Sequence, residues 1–89
     1  MALVTFTQNL QRHVPCPPRE IAGRTVREAL DSYFVDVPLL RNYILDEQGA
    51  LRRHVVIFID GRQLRDRAHL EEEVSESASI YVMQALSGG

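Results

Sequence analysis

Val55-Val56-Ile57-Phe58-Ile59 is an unbroken run of β-branched and aromatic residues, and Asp60-Gly61 follows it at once. Such a run, closed by a tight-turn pair, predicts a strand that reverses into a short return strand over Arg62-Gln63-Leu64. The run is apolar on both pleat faces. If Val55, Ile57 and Ile59 face a core, alternation turns His54, Val56 and Phe58 to the opposite side. Ser79-Ile80-Tyr81-Val82-Met83 divides in the same way, with Ile80 and Val82 inward and Tyr81 and Met83 outward. Val56, Phe58, Tyr81 and Met83 thus form a candidate partner-binding patch, more apolar than a monomer usually leaves open. A covering loop, the tail or a second copy accounts for such a patch as well. Arg52 and Arg53, just ahead of the run, read either as steering charges or as solvated ones.

Upstream, Leu3-Val4-Thr5-Phe6-Thr7 alternates and predicts a first strand. Gln8–Arg12 reads as a turn or loop. Val14-Pro15-Cys16-Pro17-Pro18 carries three prolines, each without an N–H, and cannot sit in a central strand. It predicts an irregular edge leading to a short strand over Arg19-Glu20-Ile21-Ala22, ended by Gly23. Thr25 with Glu28 three residues later fits a capping box. Val26, Ala29, Leu30 and Tyr33 then recur at helical spacing, predicting an amphipathic helix to about Phe34. Leu39, Leu40, Tyr43 and Ile44 suggest a second, shorter helical turn, and Asp46-Glu47-Gln48-Gly49 a loop. Glu71-Glu72-Glu73 reads as a solvated face. Strands with one long helix inserted imply an α+β domain with that helix laid across one face of a mixed sheet.

Composition narrows the function. The chain has 89 residues, 45% apolar and 25% charged, which suits one globular domain. The expected division is a domain over 1–84 and a flexible tail over 85–89. Net charge is −2, so nucleic-acid binding through a basic face is not expected. No apolar run approaches the length of a membrane helix, so no membrane partner is expected either. The first residues carry neither a basic flank nor a cleavage site, and Cys16 is alone; a reducing cytoplasm is the expected compartment. All ten basic residues are Arg, so Met1 carries the only amine.

Catalytic signatures are missing. His13, His54 and His69 do not stand at metal-ligand spacing, and no metal site is expected. Cys16 has no adjacent base and reads as a structural cysteine. There is no phosphate-binding or nucleophile-elbow motif. No catalytic residue and no bound cofactor are therefore expected. The C-terminal end is distinctive: Ser87 leads into Gly88-Gly89 directly after a strand. Two such glycines arise by chance in roughly 0.5% of chains, taking Gly at ~7%. A frayed end is one explanation. The other is chemical: without Cβ atoms, a Gly-Gly tail threads a narrow channel and presents its carboxylate to another enzyme.

The strand Val55–Ile59 with Asp60-Gly61, the helix start Thr25-Val26-Arg27-Glu28-Ala29-Leu30 and the ending Ala85-Leu86-Ser87-Gly88-Gly89 together resemble the MoaD/ThiS family of sulfur-carrier proteins. The resemblance spans essentially the whole chain, and its most specific element is the terminal Gly-Gly. It implies a ubiquitin-like β-grasp fold with a mixed sheet of four to five strands. It implies an ATP-dependent, ubiquitin-activating-type enzyme that adenylates the carboxylate of Gly89, with sulfur then replacing AMP to give a thiocarboxylate. Gly88 would supply flexibility, and ATP would be the activating enzyme's cofactor rather than this chain's. The insertion Asp46–Ala50, followed by Leu51-Arg52-Arg53-His54, looks most like carriers that serve a pyridoxal-phosphate cysteine synthase. The small subunit of molybdopterin synthase, a ubiquitin-related modifier conjugated through the same glycine, and a non-covalent interaction module are the alternatives.

Overall fold

The computed structural model describes residues 1–84. Its elements in chain order are β1 (Ala2–Phe6), α1 (Gln8–Gln11), β2 (Arg19–Ile21), α2 (Val26–Asp36), α3 (Pro38–Ile44), β3 (Val55–Ile59), β4 (Arg62–Gln63) and β5 (Ser79–Gln84). The strands form one five-stranded sheet in the order β2-β1-β5-β3-β4. β1 runs parallel to β5, and every other neighbouring pair is antiparallel. The architecture is the α+β mixed sheet that the pattern predicted, with α2 as the longest helix.

Alternation decides which face is covered. Val4 and Phe6 of β1, Val55, Ile57 and Ile59 of β3, and Ile80 and Val82 of β5 are all buried. They share one core with Val26, Ala29, Leu30, Tyr33 and Phe34 of α2. The rings of Phe6 and Tyr33 meet edge to face at 5.1 Å, a favoured aromatic geometry. Among the described residues, no helix is long and apolar enough to cross a membrane.

The capping box forms with one shift. Thr25 Oγ1 accepts the Glu28 N–H at 3.2 Å, but the Glu28 carboxylate accepts from Arg24 at 2.9 Å rather than from Thr25. The first two backbone donors of α2, at Val26 and Arg27, bond the carbonyls of Glu72 and Leu70 at 3.0 and 2.8 Å. The connection between β4 and β5 thereby completes the helix start. Gly23 sits where any Cβ would come within 2.8 Å of the Ala29 amide nitrogen, so the strand-to-helix turn admits no larger residue there. At the other hairpin, Asp60 and Gly61 have φ of 52° and 84°, the positive values of a type I′ turn. Asp60 Oδ1 also accepts the Ser79 N–H at 2.9 Å, tying that turn to the start of β5.

The predicted second, shorter helical turn forms as α3, in which Leu40 and Ile44 carry the core contact while Leu39 and Tyr43 are exposed. Two local expectations are corrected. Gln8–Gln11 is a helical turn, not a loop: the Thr7 carbonyl accepts from Leu10 and Gln11, and Leu10 is fully buried. Burial of one leucine overrides a polar local sequence. Glu72 is not part of a solvated face. Its carboxylate accepts the N–H groups of Asp66 and Arg65 and the Arg62 guanidinium, and these bonds hold it below the usual carboxylate range. Asp66 in turn accepts from His69 and Glu71 at 3.0 and 3.1 Å.

A carboxylate whose folded pKa is depressed adds stability above its unfolded pKa and loses it as pH falls through the folded value. Wild type is therefore expected to melt higher than Glu72→Gln at neutral pH. The gap should close as the buffer is taken from the unfolded glutamate range, about 4.3, down through the lower folded pKa. Thermal melts across that range check this; a gap independent of pH would show that the charge of Glu72 is idle.

The proline-rich segment is a strap over the core. Val14 and Cys16 point inward and are buried, while Pro15, Pro17 and Pro18 are exposed. The Pro17 carbonyl accepts the hydroxyl of buried Tyr33, which gives an otherwise orphaned donor its partner. Burial, with a smaller contribution from Cys16, pushes the Tyr33 phenol up to about 12 despite the opposing pull of Arg19. Arg19 lies over the Tyr33 ring at 5.2 Å and pairs with Asp36 at 2.8 Å.

Candidate functional site

The uncovered face of the sheet carries the predicted patch. In the β3–β5 ladder, Val56 stands opposite Met83 and Phe58 opposite Tyr81. The four side chains therefore form two adjacent cross-strand pairs on one face. Tyr81 and Met83 are each 37% exposed, and Val56 and Phe58 are half-buried.

Sequence reasoning missed the contribution of β1. The parallel register sets Leu3 beside Ser79 and Thr5 beside Tyr81. Leu3, 40% exposed, and half-buried Thr5 thus extend the same face toward β2. The alternation of Leu3 and Thr5 against Val4 and Phe6 was visible in the sequence. Which strand lay beside them was not.

Arg52 and Arg53 part company. Arg52 Nε donates to the Asn42 carbonyl at 2.7 Å, and the Arg52 carbonyl accepts from Arg67 at 2.7 Å. Arg52 is thus a brace joining the end of α3 to the approach of β3, not a free steering charge. Arg53 remains exposed. Arg27 is a second brace, donating to the carbonyls of His69 and Gly49 at 2.9 and 2.7 Å. Cys16 is 1% exposed, and burial pushes its thiol above the ordinary range, as a packed structural cysteine requires. Among the described residues, no group of three or more His, Cys, Asp or Glu side chains stands close enough to hold a metal.

Ser87, Gly88 and Gly89 lie outside the described residues. What the fold positions is their point of departure. β5 is the central strand of the five, and its last residue, Gln84, pairs with Val55. Residues 85–89 therefore continue from the strand that carries Tyr81 and Met83.

No protein-family model matches the sequence, and no curated protein matches it significantly. Solved structures do. Small archaeal modifier protein 1 (SAMP1) from Methanosarcina acetivorans is 24% identical, with 99% of this chain and 95% of that one covered and a TM-score of 0.81. A chain of the Amycolatopsis orientalis BexX/CysO complex is 22% identical, with both chains fully covered (100% and 100%) and a TM-score of 0.85. CysO of Mycobacterium tuberculosis, described as an antigen, is 17% identical, with coverages of 97% and 100% and a TM-score of 0.81. At these identities the likeness speaks to architecture. Taken with the strand order and the helix placement, it gives this chain the ubiquitin-like β-grasp fold.

Proposed function

We propose that this chain is a sulfur carrier of the MoaD/ThiS kind, a protein cosubstrate whose reacting group is the Gly89 carboxylate. A carboxylate is a poor electrophile. In this reading an ATP-dependent activating enzyme joins it to AMP, releasing pyrophosphate; a sulfur nucleophile then attacks the acyl carbon and AMP leaves. The product is a thiocarboxylate, which a second enzyme consumes as its sulfur source. The chain itself contributes the tail and a docking surface and performs no catalysis. The observation that carries the reading is the Gly88-Gly89 ending on the central strand of a β-grasp fold.

Cysteine synthesis, through a pyridoxal-phosphate enzyme that accepts the sulfur, is the favoured destination. The long connection from Asp46 to His54 and the likeness to a chain from the BexX/CysO complex support it over a molybdopterin role. The likeness to a protein named as a modifier favours one second reading, conjugation of Gly89 to amines of other proteins. The open face of Val56, Phe58, Tyr81 and Met83 serves both as the surface that docks on the activating enzyme.

Intact mass spectrometry after incubation with ATP, sulfide and ubiquitin-activating-type enzymes of the same genome tests the proposal. The expected result is exchange of one oxygen for one sulfur, located in the peptide that ends at Gly89. Adducts on lysines of other proteins would favour the modifier. A chain left unmodified by every such enzyme would overturn both.

A further inference from the structure

We infer that the folded body holds no nucleophile able to capture its own activated tail, so that an energised Gly89 acyl group is reserved for acceptors on other molecules and side-chain-linked chains of this protein do not form. The inference rests on the reading of Gly89 as the activated group. Three independent features lead to it.

The first is chemical. An amine captures an activated acyl group by attacking its carbon: a C–N bond forms, the bond to the leaving group breaks, and the amine gives its proton to solvent. The chain has ten basic residues and every one is Arg. A guanidinium stays protonated and is no nucleophile near neutral pH, whereas a lysine amine exchanges its proton and attacks. Arg27 and Arg52 show basic side chains bracing carbonyls, a task that lysine also performs as a donor. No position uses it.

The second is burial. The one thiol, Cys16, would exchange with a thioester or an acyl adenylate. It is 1% exposed, in the strap over the core, and burial raises its pKa. The thiolate that would attack is both scarce and walled off.

The third is topology. The remaining amine is the α-amino group of Met1, which is exposed and would attack readily. β1 and β5 are parallel, with Leu3 beside Ser79. The start of β1 and the end of β5 therefore lie at opposite ends of the sheet. Met1 is about seven residues of strand rise, roughly 23 Å, from the level of Gln84. Five residues beyond Gln84, fully extended, reach at most about 18 Å. An antiparallel pairing would have put this amine beside the tail. All three imidazoles, His13, His54 and His69, are at least partly exposed. An acyl-imidazole hydrolyses back to the carboxylate and leaves no adduct. Hydroxyls without an activating base are too weak to compete.

The test needs no activating enzyme. The full 89-residue chain is prepared as a mercaptoethanesulfonate thioester at Gly89, kept dilute at mildly alkaline pH, and followed by intact mass. Wild type is expected to hydrolyse only. Arg53→Lys introduces an amine two residues before Val55, the partner of Gln84, and is expected to convert most of its thioester to an internal amide, lighter than the free acid by one water. Arg24 lines a depression with Met1 at the far end of the sheet, so Arg24→Lys is expected to behave as wild type. Internal amide in wild type, equal capture by the two variants, or no capture by Arg53→Lys would each overturn the inference. Failure of Gly89 to load enzymatically would instead count against the proposed function, because the thioester here is made chemically.

Discussion

Removal of Gly89 is expected to abolish thiocarboxylate formation while leaving the folded body and its docking to the activating enzyme unchanged. The reasoning is geometric. An adenylation site holds the nucleotide's α-phosphorus fixed, and the attacking carboxylate must arrive in line with it. Losing one residue withdraws the carboxylate by about 3.5 Å along an extended tail. A displacement of about 1 Å costs on the order of 100-fold in a positioned reaction. One residue is several times that, so the expected yield falls below detection rather than by a small factor. Adding one residue after Gly89 is expected to do the same, since it buries the acyl carbon in an ordinary peptide bond.

Gly88→Val probes a different property. Its carboxylate stays in place, but a β-branched side chain must now enter a channel shaped for glycine. A loss comparable to deletion would point to a tight channel, and a mild loss to a loose one. Residue 84 is the last of β5, and among the described residues the core is built without the tail. The melting temperature of all three variants should therefore match wild type. The measurement is thiocarboxylate mass after incubation with ATP and sulfide, with binding to the activating enzyme read in parallel. A Gly89-deleted chain that still acquires sulfur at its new end would defeat the claim that this residue's acyl group is the reacting centre.

The parts of this fold legible from sequence are those in which one residue's environment repeats along a segment. β3 announces itself because Val55, Ile57 and Ile59 need a core. The open face announces itself because Val56 and Phe58 are apolar where a solvated strand would be polar. α2 is legible for the same reason at helical spacing, with Thr25 marking its start. What sequence could not supply is anything fixed by a distant partner. The parallel pairing of β1 with β5, which brings Leu3 and Thr5 to the open face, joins opposite ends of the chain. Glu72 sits in a run of three glutamates, and what distinguishes it from its neighbours is its bonds to the amides of Arg65 and Asp66 and to the Arg62 guanidinium. Leu70 turns that loop at a positive φ of 56°, an unfavourable conformation for leucine, and is fully buried in compensation. The strap has a parallel lesson. Prolines marked what it was not, while its attachment depends on Tyr33, sixteen residues downstream of Pro17. The point from which residues 85–89 depart became visible only with the sheet order.

The second large effect is expected on the sheet's open face. Phe58→Asp combined with Met83→Asp should weaken binding to the activating enzyme by at least about 100-fold, or about 2.8 kcal/mol. The two residues lie in neighbouring cross-strand pairs, with Phe58 opposite Tyr81 and Met83 opposite Val56. One substitution in each pair places a carboxylate in both halves of the patch. Each change removes apolar contact and also asks the interface to desolvate a charge without a partner, and fully desolvated central positions are where such costs concentrate. The same carboxylates cost the free protein far less, because Met83 is 37% exposed and Phe58 half-exposed to water already. A change of about 1 kcal/mol from strand preference is the expected scale, and circular dichroism should show the sheet intact. Val35 and Leu39 on the helical side, 77% and 69% exposed, supply the control. Aspartates there add the same charge without touching the patch and should leave binding within a few-fold of wild type. If both pairs of substitutions weaken the complex equally, net charge is the cause and the open face is not the docking surface. If neither does, the tail alone holds the partner, and residues 1–84 serve only to keep it soluble and presented.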